Sequence, residues 1–395
     1  MRTLLRPGWG LFLLVVLLPW VSGCDQGSLS PPEVSNDLFR SYVSIGNSIT
    51  AGFQSGGINQ NTQEESYAVL LAEQTGTTFN IPALQPPGCP PPLAQAFPPQ
   101  TIAPDVDCAL RASSVSSPLN NVAVPNAAVV DVLSNQRPSS NPNELTSFIL
   151  GGQTQIGAAK KANPTFVSAW IGNNDVLGGA IVGDTSLVTP VDSFQARYDR
   201  MVSELQSVES LQGGVFLKVA DVTLIPHFSS GAAYGQAIPQ AQSAGIVPSN
   251  FQLNSCGTAT STLVPFRHGA ALLQVAQNVQ GSNETITLDC SQDRTVREVV
   301  QQSISSPSVE AAALQALQEQ SPEVLPISLL RPQETAFLAD RVAAFNQIIE
   351  DEVADNDNFV TVDPNALFAN NNNQLPAFPD LTGDAPFGPL FSLDG

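Results

Sequence analysis

Phe166-Val167-Ser168-Ala169-Trp170-Ile171-Gly172-Asn173-Asn174-Asp175 turns from apolar to polar within a single short stretch. The first six residues read as a strand buried on both faces, and the glycine stops it. The same change occurs earlier, at Tyr42-Val43-Ser44-Ile45 followed by Gly46-Asn47-Ser48. Three more short apolar runs, Asn121-Val122-Ala123-Val124, Val215 to Ala220, and the stretch around Val360 and Val362, bring the expected strands to five. Amphipathic helices fall between them. One starts at Ser66 as N-cap, carries Tyr67, Leu70 and Leu71 on one face and ends at Gly76. Another presents Phe194, Tyr198, Met201, Val202 and Leu205, and a third Leu338, Val342, Phe345, Ile349 and Val353. Strands alternating with such helices predict an α/β fold with a parallel sheet covered on both sides.

Composition narrows the function. The 395 residues carry 15 Lys plus Arg against 35 Asp plus Glu, a net charge of −20, with 42% hydrophobic residues. That is enough apolar sequence for a large core. Nucleic acid is excluded as a main partner, because phosphate binding needs clustered cations and the chain has three lysines. The charged fraction of 13% is about half that of an average globular protein, which suits an exported chain.

The N-terminus agrees. Arg2 and Arg6 precede an apolar run, Leu11 to Leu18, too short for the ~20 residues of a bilayer span, so residues 1–23 read as a signal peptide. Val21-Ser22-Gly23-Cys24 resembles the bacterial lipoprotein lipobox, which implies a lipid on Cys24, attachment to the cell envelope and a polar tether over residues 24–37. Folding is expected from residue 38 to 395. The remaining cysteines, Cys89, Cys108, Cys256 and Cys290, are even in number and suggest two disulfides; of three pairings the local ones, Cys89 with Cys108 and Cys256 with Cys290, are favoured. No CxxC spacing occurs and there are two histidines, so no metal site is expected. Nine prolines between Pro82 and Pro104 mark a rigid excursion, and the 108 residues from Thr223 to Leu330 exceed any crossover, marking an insertion or cap. Phe228, Phe251 and Phe266 either line an acyl slot or build the insertion's own core.

In an open parallel sheet, ligands bind beyond the carboxyl ends of the strands. The first strand ends in Gly46-Asn47-Ser48-Ile49-Thr50, which puts a serine hydroxyl at the sheet edge. It departs from the GxSxG elbow because Thr50 stands at the second glycine. With Gly172-Asn173-Asn174-Asp175 after the third strand and Val124-Pro125-Asn126-Ala127 after the second, the chain resembles the SGNH, or GDSL-like, esterase and lipase family. The resemblance implies a three-layer α/β/α, flavodoxin-like fold with a five-stranded parallel sheet. It further implies Ser48 as nucleophile, and an oxyanion hole from the backbone amides of Ser48 and Asn126 and the side-chain amide of Asn174. Gly46, Asn47, Gly172 and Asp175 are the supporting loop residues. Asn47 replaces the commoner Asp, and Asn126 a glycine. No cofactor is implied; the partners are an ester substrate (acyl ester, lipid or O-acetylated glycan) and the membrane reached through the anchor, with the chain a monomer.

The family closes with Asp-x-x-His, and Phe391-Ser392-Leu393-Asp394-Gly395 looks like the start of that block. The histidine would stand two residues past Gly395. The expectation is a chain cut inside its last catalytic block. Neither His227 nor His268 follows an aspartate by three residues. Without a base the serine is a weak nucleophile and turnover falls on the order of a millionfold. The other reading is a non-catalytic surface lipoprotein that binds glycan, lipid or protein on the same fold.

Overall fold

Tyr42–Gly46 forms β1, apolar but for Ser44 and buried at all five positions. The structure is a computed structural model that describes residues 34, 36–97, 99–103, 108, 112, 116–136, 139–140, 144–370 and 374–395. The expected signal peptide, Cys24 and most of the tether lie outside the described residues. β2 (Phe166–Trp170), β3 (Gly213–Leu217) and β4 (Phe359–Val362) complete one parallel sheet in the order β1-β2-β3-β4. Its register pairs Tyr42 with Phe166, Phe166 with Gly213 and Gly214 with Phe359. The protein is therefore mixed α/β around a four-stranded parallel sheet.

The expected second strand is not a full member of that sheet. Residues 120–124 run beside β1, where the Ser44 amide donates to the Asn120 carbonyl at 2.9 Å and the Val122 and Val124 amides donate to Ser44 and Gly46 at 3.0 and 3.2 Å. They make a single parallel bridge, Ser44 to Asn121. The cause is local: the Asn121 side chain takes the Ala123 amide at 3.1 Å and donates to the Thr50 carbonyl at 2.8 Å, diverting the backbone from a regular ladder.

Seven helices position the site: α1 (Ser48–Ala51), α2 (Tyr67–Thr75), α3 (Val129–Leu133), α4 (Gln155–Lys161), α5 (Asn174–Val182), α6 (Val191–Gln206) and α7 (Pro332–Ala354). α6 buries Phe194, Tyr198, Met201, Val202 and Leu205, the stripe that its sequence period requires. Phe194 stacks on Phe345 of α7 with ring centroids 3.8 Å apart, and Tyr198 meets Phe216 of β3 edge-on.

Two expectations about faces are corrected. α2 has the expected caps, Ser66 and left-handed Gly76, but it buries Ala68, Ala72 and Thr75 while Leu70 is 50% exposed. Small residues let the helix backbone lie close to its neighbours, and Tyr67 reaches Trp170 edge-on. β4 is an edge strand, so Phe359 is buried while Val360 and Val362 are 58% and 46% exposed; the sheet is not covered on both sides there.

Between Phe228 and Leu330 the chain builds a second cluster of buried side chains, running from Tyr234 to Leu329. Phe228–Ser230 pairs antiparallel with Leu263–Pro265, and Phe251–Asn254 pairs parallel with Ile286–Asp289. Disulfides join Cys256 to Cys290 and Cys89 to Cys108, the local pairings. Such bonds fit an oxidising compartment. Phe251 belongs to the second cluster and Phe228 to the main core. Phe97 of the proline-rich excursion and Phe378 and Leu381 near the C-terminus also pack on the second cluster, so three distant segments converge there. Among the described residues no helix is long and apolar enough to cross a membrane.

Candidate active site

Ser48 follows β1 directly and opens α1, with Asn47 as N-cap accepting from the Ile49 amide at 3.3 Å. Gly46 is required by space: a Cβ there would lie 2.2 Å from Thr50 Oγ1 and 2.8 Å from the Trp170 carbonyl. Gln155 of α4, 1% exposed, clamps Gly46 from both sides, accepting from its amide at 3.0 Å and donating to its carbonyl at 2.9 Å. Sequence reasoning missed Gln155, because nothing in its own segment marks a partner 109 residues away.

Asn126 comes to Ser48 from the segment beside β1. Its φ is +63°, in the left-handed region that asparagine tolerates better than most residues, and its backbone N–H donates to Ser48 Oγ at 3.2 Å. Asn174, at the start of α5, donates from Nδ2 to the Ala127 carbonyl at 3.0 Å, next to Asn126. An amide nitrogen carries two hydrogens, so one stays available to a ligand. Gly172 has a φ of +111°, and a Cβ there would press on Val219 and Phe194 at 2.9 and 3.0 Å. Asn173, another residue the sequence reading left without a role, accepts from the Ala220 amide at 3.1 Å and ties this loop to the one after β3.

Asp175 is buried and accepts from the Val129 amide at 2.8 Å. Burial pushes its carboxyl up to about 6, opposed by the Val129 amide, the Thr189 hydroxyl and Arg197. The Thr189 hydroxyl acts without reaching hydrogen-bond geometry, and Oδ1 is buried with no partner among the described residues. Asn47 Nδ2 is in the same condition.

The C-terminal residues return to this end of the sheet. The Leu393 amide donates to Ser55 Oγ at 3.3 Å, in the loop that follows α1, and Ser392 Oγ donates to the Asp394 carboxylate at 2.5 Å. His227 Nδ1 meets the Asp394 carbonyl at 3.2 Å, which puts the ring hydrogen on Nδ1. Its Nε2 is buried without a partner, and burial lowers the imidazole to about 4. His268 lies in the insertion, bonded to the Ile327 carbonyl at 2.9 Å and likewise lowered to about 4 by burial. Among the described residues Ser48, Asn126 and Asn174 are thus brought together. Asp394 comes near the loop of Ser48 without a hydrogen bond to it, and neither histidine bonds Ser48.

A cavity of about 200 Å³ opens beside Leu393, walled by Gln95, Phe97, Phe266, Asp380 and Asp384. A second hollow of about 210 Å³, lined by Leu119, Leu150 and Lys161, shares no residue with the Ser48 loops. Among the described residues no group of three or more His, Cys, Asp or Glu side chains is placed to hold a metal ion.

No family model matches the chain, and no curated protein does. Among solved structures, a mutant of an acetyl-xylooligosaccharide esterase from Geobacillus matches 78% of this chain and 93% of its own, at 12% identity and a TM-score of 0.23. A likeness that low carries no argument about fold or activity.

Proposed function

We propose that this chain is an ester hydrolase of SGNH type, exported and attached to the cell envelope through a lipid on Cys24, with Ser48 as its nucleophile. The observation that carries the reading is the Asn126 backbone N–H on Ser48 Oγ at 3.2 Å, delivered by a residue in a left-handed conformation. A serine hydroxyl with a preset amide beside it is the start of an oxyanion hole. Attack moves Oγ onto the ester carbonyl carbon, and the developing oxyanion takes the amides of Ser48, Asn126 and Asn174, each worth ~3 to 4 kcal/mol in a comparable hydrolase. The base takes the Ser48 hydroxyl proton and gives it to the departing alcohol oxygen as the C–O bond breaks; water then attacks the acyl carbon, its proton returning to Ser48 Oγ and the acid leaving. Asp394 is the orienting carboxylate of the last block, and the base is a group other than His227 and His268, whose Nε2 atoms are buried without a partner and make no hydrogen bond to Ser48 among the described residues.

The test is labelling by a fluorophosphonate probe with imidazole added as an external base. Label should map to Ser48 and vanish in Ser48→Ala. Equal labelling of the two proteins would reject the assignment. A second reading, a binding module on the same fold, is favoured by the lack, among the described residues, of a hydrogen bond from either histidine to Ser48; folded protein that takes no label and turns over no ester supports it.

A further inference from the structure

Asp175 is 2% exposed and carries a carboxylate oxygen, Oδ1, buried without a hydrogen-bond partner among the described residues. A buried charge with an unpaired oxygen is costly, so stability alone does not account for it. Its other contacts are specific. Oδ2 accepts from the Val129 amide at 2.8 Å, and the Asp175 carbonyl accepts from the Thr189 amide at 2.9 Å.

Val129 opens α3 and stands three residues after Asn126, whose amide meets Ser48 Oγ. The neighbouring Asn174 donates to the Ala127 carbonyl at 3.0 Å. Two adjacent side chains at the head of α5 therefore grip residues 127 and 129, the segment from which the Asn126 amide projects. Between them lies Ala128, whose own amide is taken by Asp131 of α3 at 2.8 Å. Ala127 and Val129 also bury their side chains in the main core and the Ala127 amide donates to the Val124 carbonyl at 3.2 Å, while Asn126 itself is exposed, so the polar grip sets the turn between two apolar anchors.

We propose that Asp175 is a positioning residue for the oxyanion site: through Val129 its carboxylate aims the Asn126 amide at Ser48, and it does so better when ionised than when protonated. A carboxylate accepts a backbone N–H more strongly than a neutral acid does. Loss of the charge lengthens the Val129 bond and lets the 126–129 turn relax, with the Asn126 donor moving off the serine oxygen. The charged groups acting on Asp175 are Arg197 of α6, which favours the ionised form, and Asp131 of α3, which opposes it. Arg341 of α7 is engaged with the Thr189 carbonyl and holds the loop that donates to Asp175. Burial is the largest influence and raises the carboxyl to about 6. The geometry stands by itself; its catalytic meaning rests on the Ser48 reading above.

The experiment labels the full chain with ¹⁵N-Val and ¹⁵N-Asn and follows the Val129 and Asn126 amide resonances from pH 4.5 to 7.5. The two should shift together with one midpoint near 6, and Asp175→Asn should abolish that shift in both. A Val129 shift with Asn126 unmoved, or no shift in either, overturns the proposal. Arg197→Gln is the second variant, useful if Asp175→Asn fails to fold: it should move the shared midpoint upward, and an unmoved midpoint counts against the assignment. The ratio of fluorophosphonate labelling between wild type and Asp175→Asn, measured with imidazole present in both, should rise across the same midpoint. Labelling absent at every pH with the shared titration intact defeats the esterase reading and leaves the positioning standing. Labelling with a flat ratio removes the positioning and leaves the esterase.

Discussion

The Asn126 backbone N–H donates to Ser48 Oγ across 3.2 Å, and Asn126 does so at a φ of +63°. That conformation costs an ordinary L-residue ~1–2 kcal/mol, most for a β-branched one. Asn126→Gly should therefore fold at least as well as wild type and keep the donor. Asn126→Ile should lose about 1–2 kcal/mol in urea unfolding and label poorly at Ser48. Equal stability of the two variants would show that the turn does not hold this backbone.

How much of this was legible in the sequence depends on range. The α6 stripe from Phe194 to Leu205 could be read because a helix repeats its buried face every three to four residues. A parallel sheet gathers its strand ends at one edge, which pointed to the loops of Ser48, Asn126 and Asn174, but the roles given to these three came from the family resemblance and not from the geometry. The α2 face was misjudged because hydrophobicity alone favours Leu70, whereas close packing selected Ala68 and Ala72. Residues 120–124 have a strand's composition, yet the Asn121 side chain competes for the Ala123 amide, a side-chain choice that composition does not carry. Gln155 left no local trace, since its partner is a backbone group in β1.

Gln155 supplies a stability prediction. Its side chain satisfies the amide and the carbonyl of Gly46 at 3.0 and 2.9 Å inside the core. Gln155→Ala leaves the Gly46 amide without its acceptor inside the core, while the Gly46 carbonyl keeps the Val124 amide at 3.2 Å, so the cost is that of one buried unpaired group, about 1–3 kcal/mol. Urea unfolding should show a loss of about 1–3 kcal/mol, with Ser48 labelling reduced because Gly46 immediately precedes the serine's loop. A loss below 0.5 kcal/mol would mean that water replaces the side chain.

The second disulfide predicts the behaviour of the insertion. Cys256 and Cys290 enclose a separation of 34 residues, for which chain entropy gives roughly 3–4 kcal/mol. Replacing both by Ala should lower stability by about that amount and raise amide exchange in Phe251–Asn254 and Ile286–Asp289 before it does so in β1 or β2. Uniform exchange across both sheets would show that the insertion and the main sheet open as one unit.

The two histidines and Asp175 pull stability in opposite directions with pH. Burial holds His227 and His268 near 4 in the folded chain, below the ordinary 6.5. Their unfolded forms therefore bind protons first as pH falls, so stability drops between about 6.5 and 4, on the order of 3 kcal/mol for each imidazole. Asp175, raised from 3.8 to about 6, favours the folded state at low pH and loses that contribution as pH rises through 6. Two imidazoles outweigh one carboxyl, so the melting temperature should fall on going from pH 6.5 to 4. His268→Gln retains a donor for the Ile327 carbonyl and removes one of the two titrating rings, leaving one imidazole against one carboxyl of similar and opposite contribution, so it should nearly flatten the slope. Asp175→Asn should steepen the same curve, since it deletes the opposing contribution. Melting curves that stay parallel for all three proteins from pH 4 to 6.5 would mean that these rings and this carboxyl take up their protons without any change in burial.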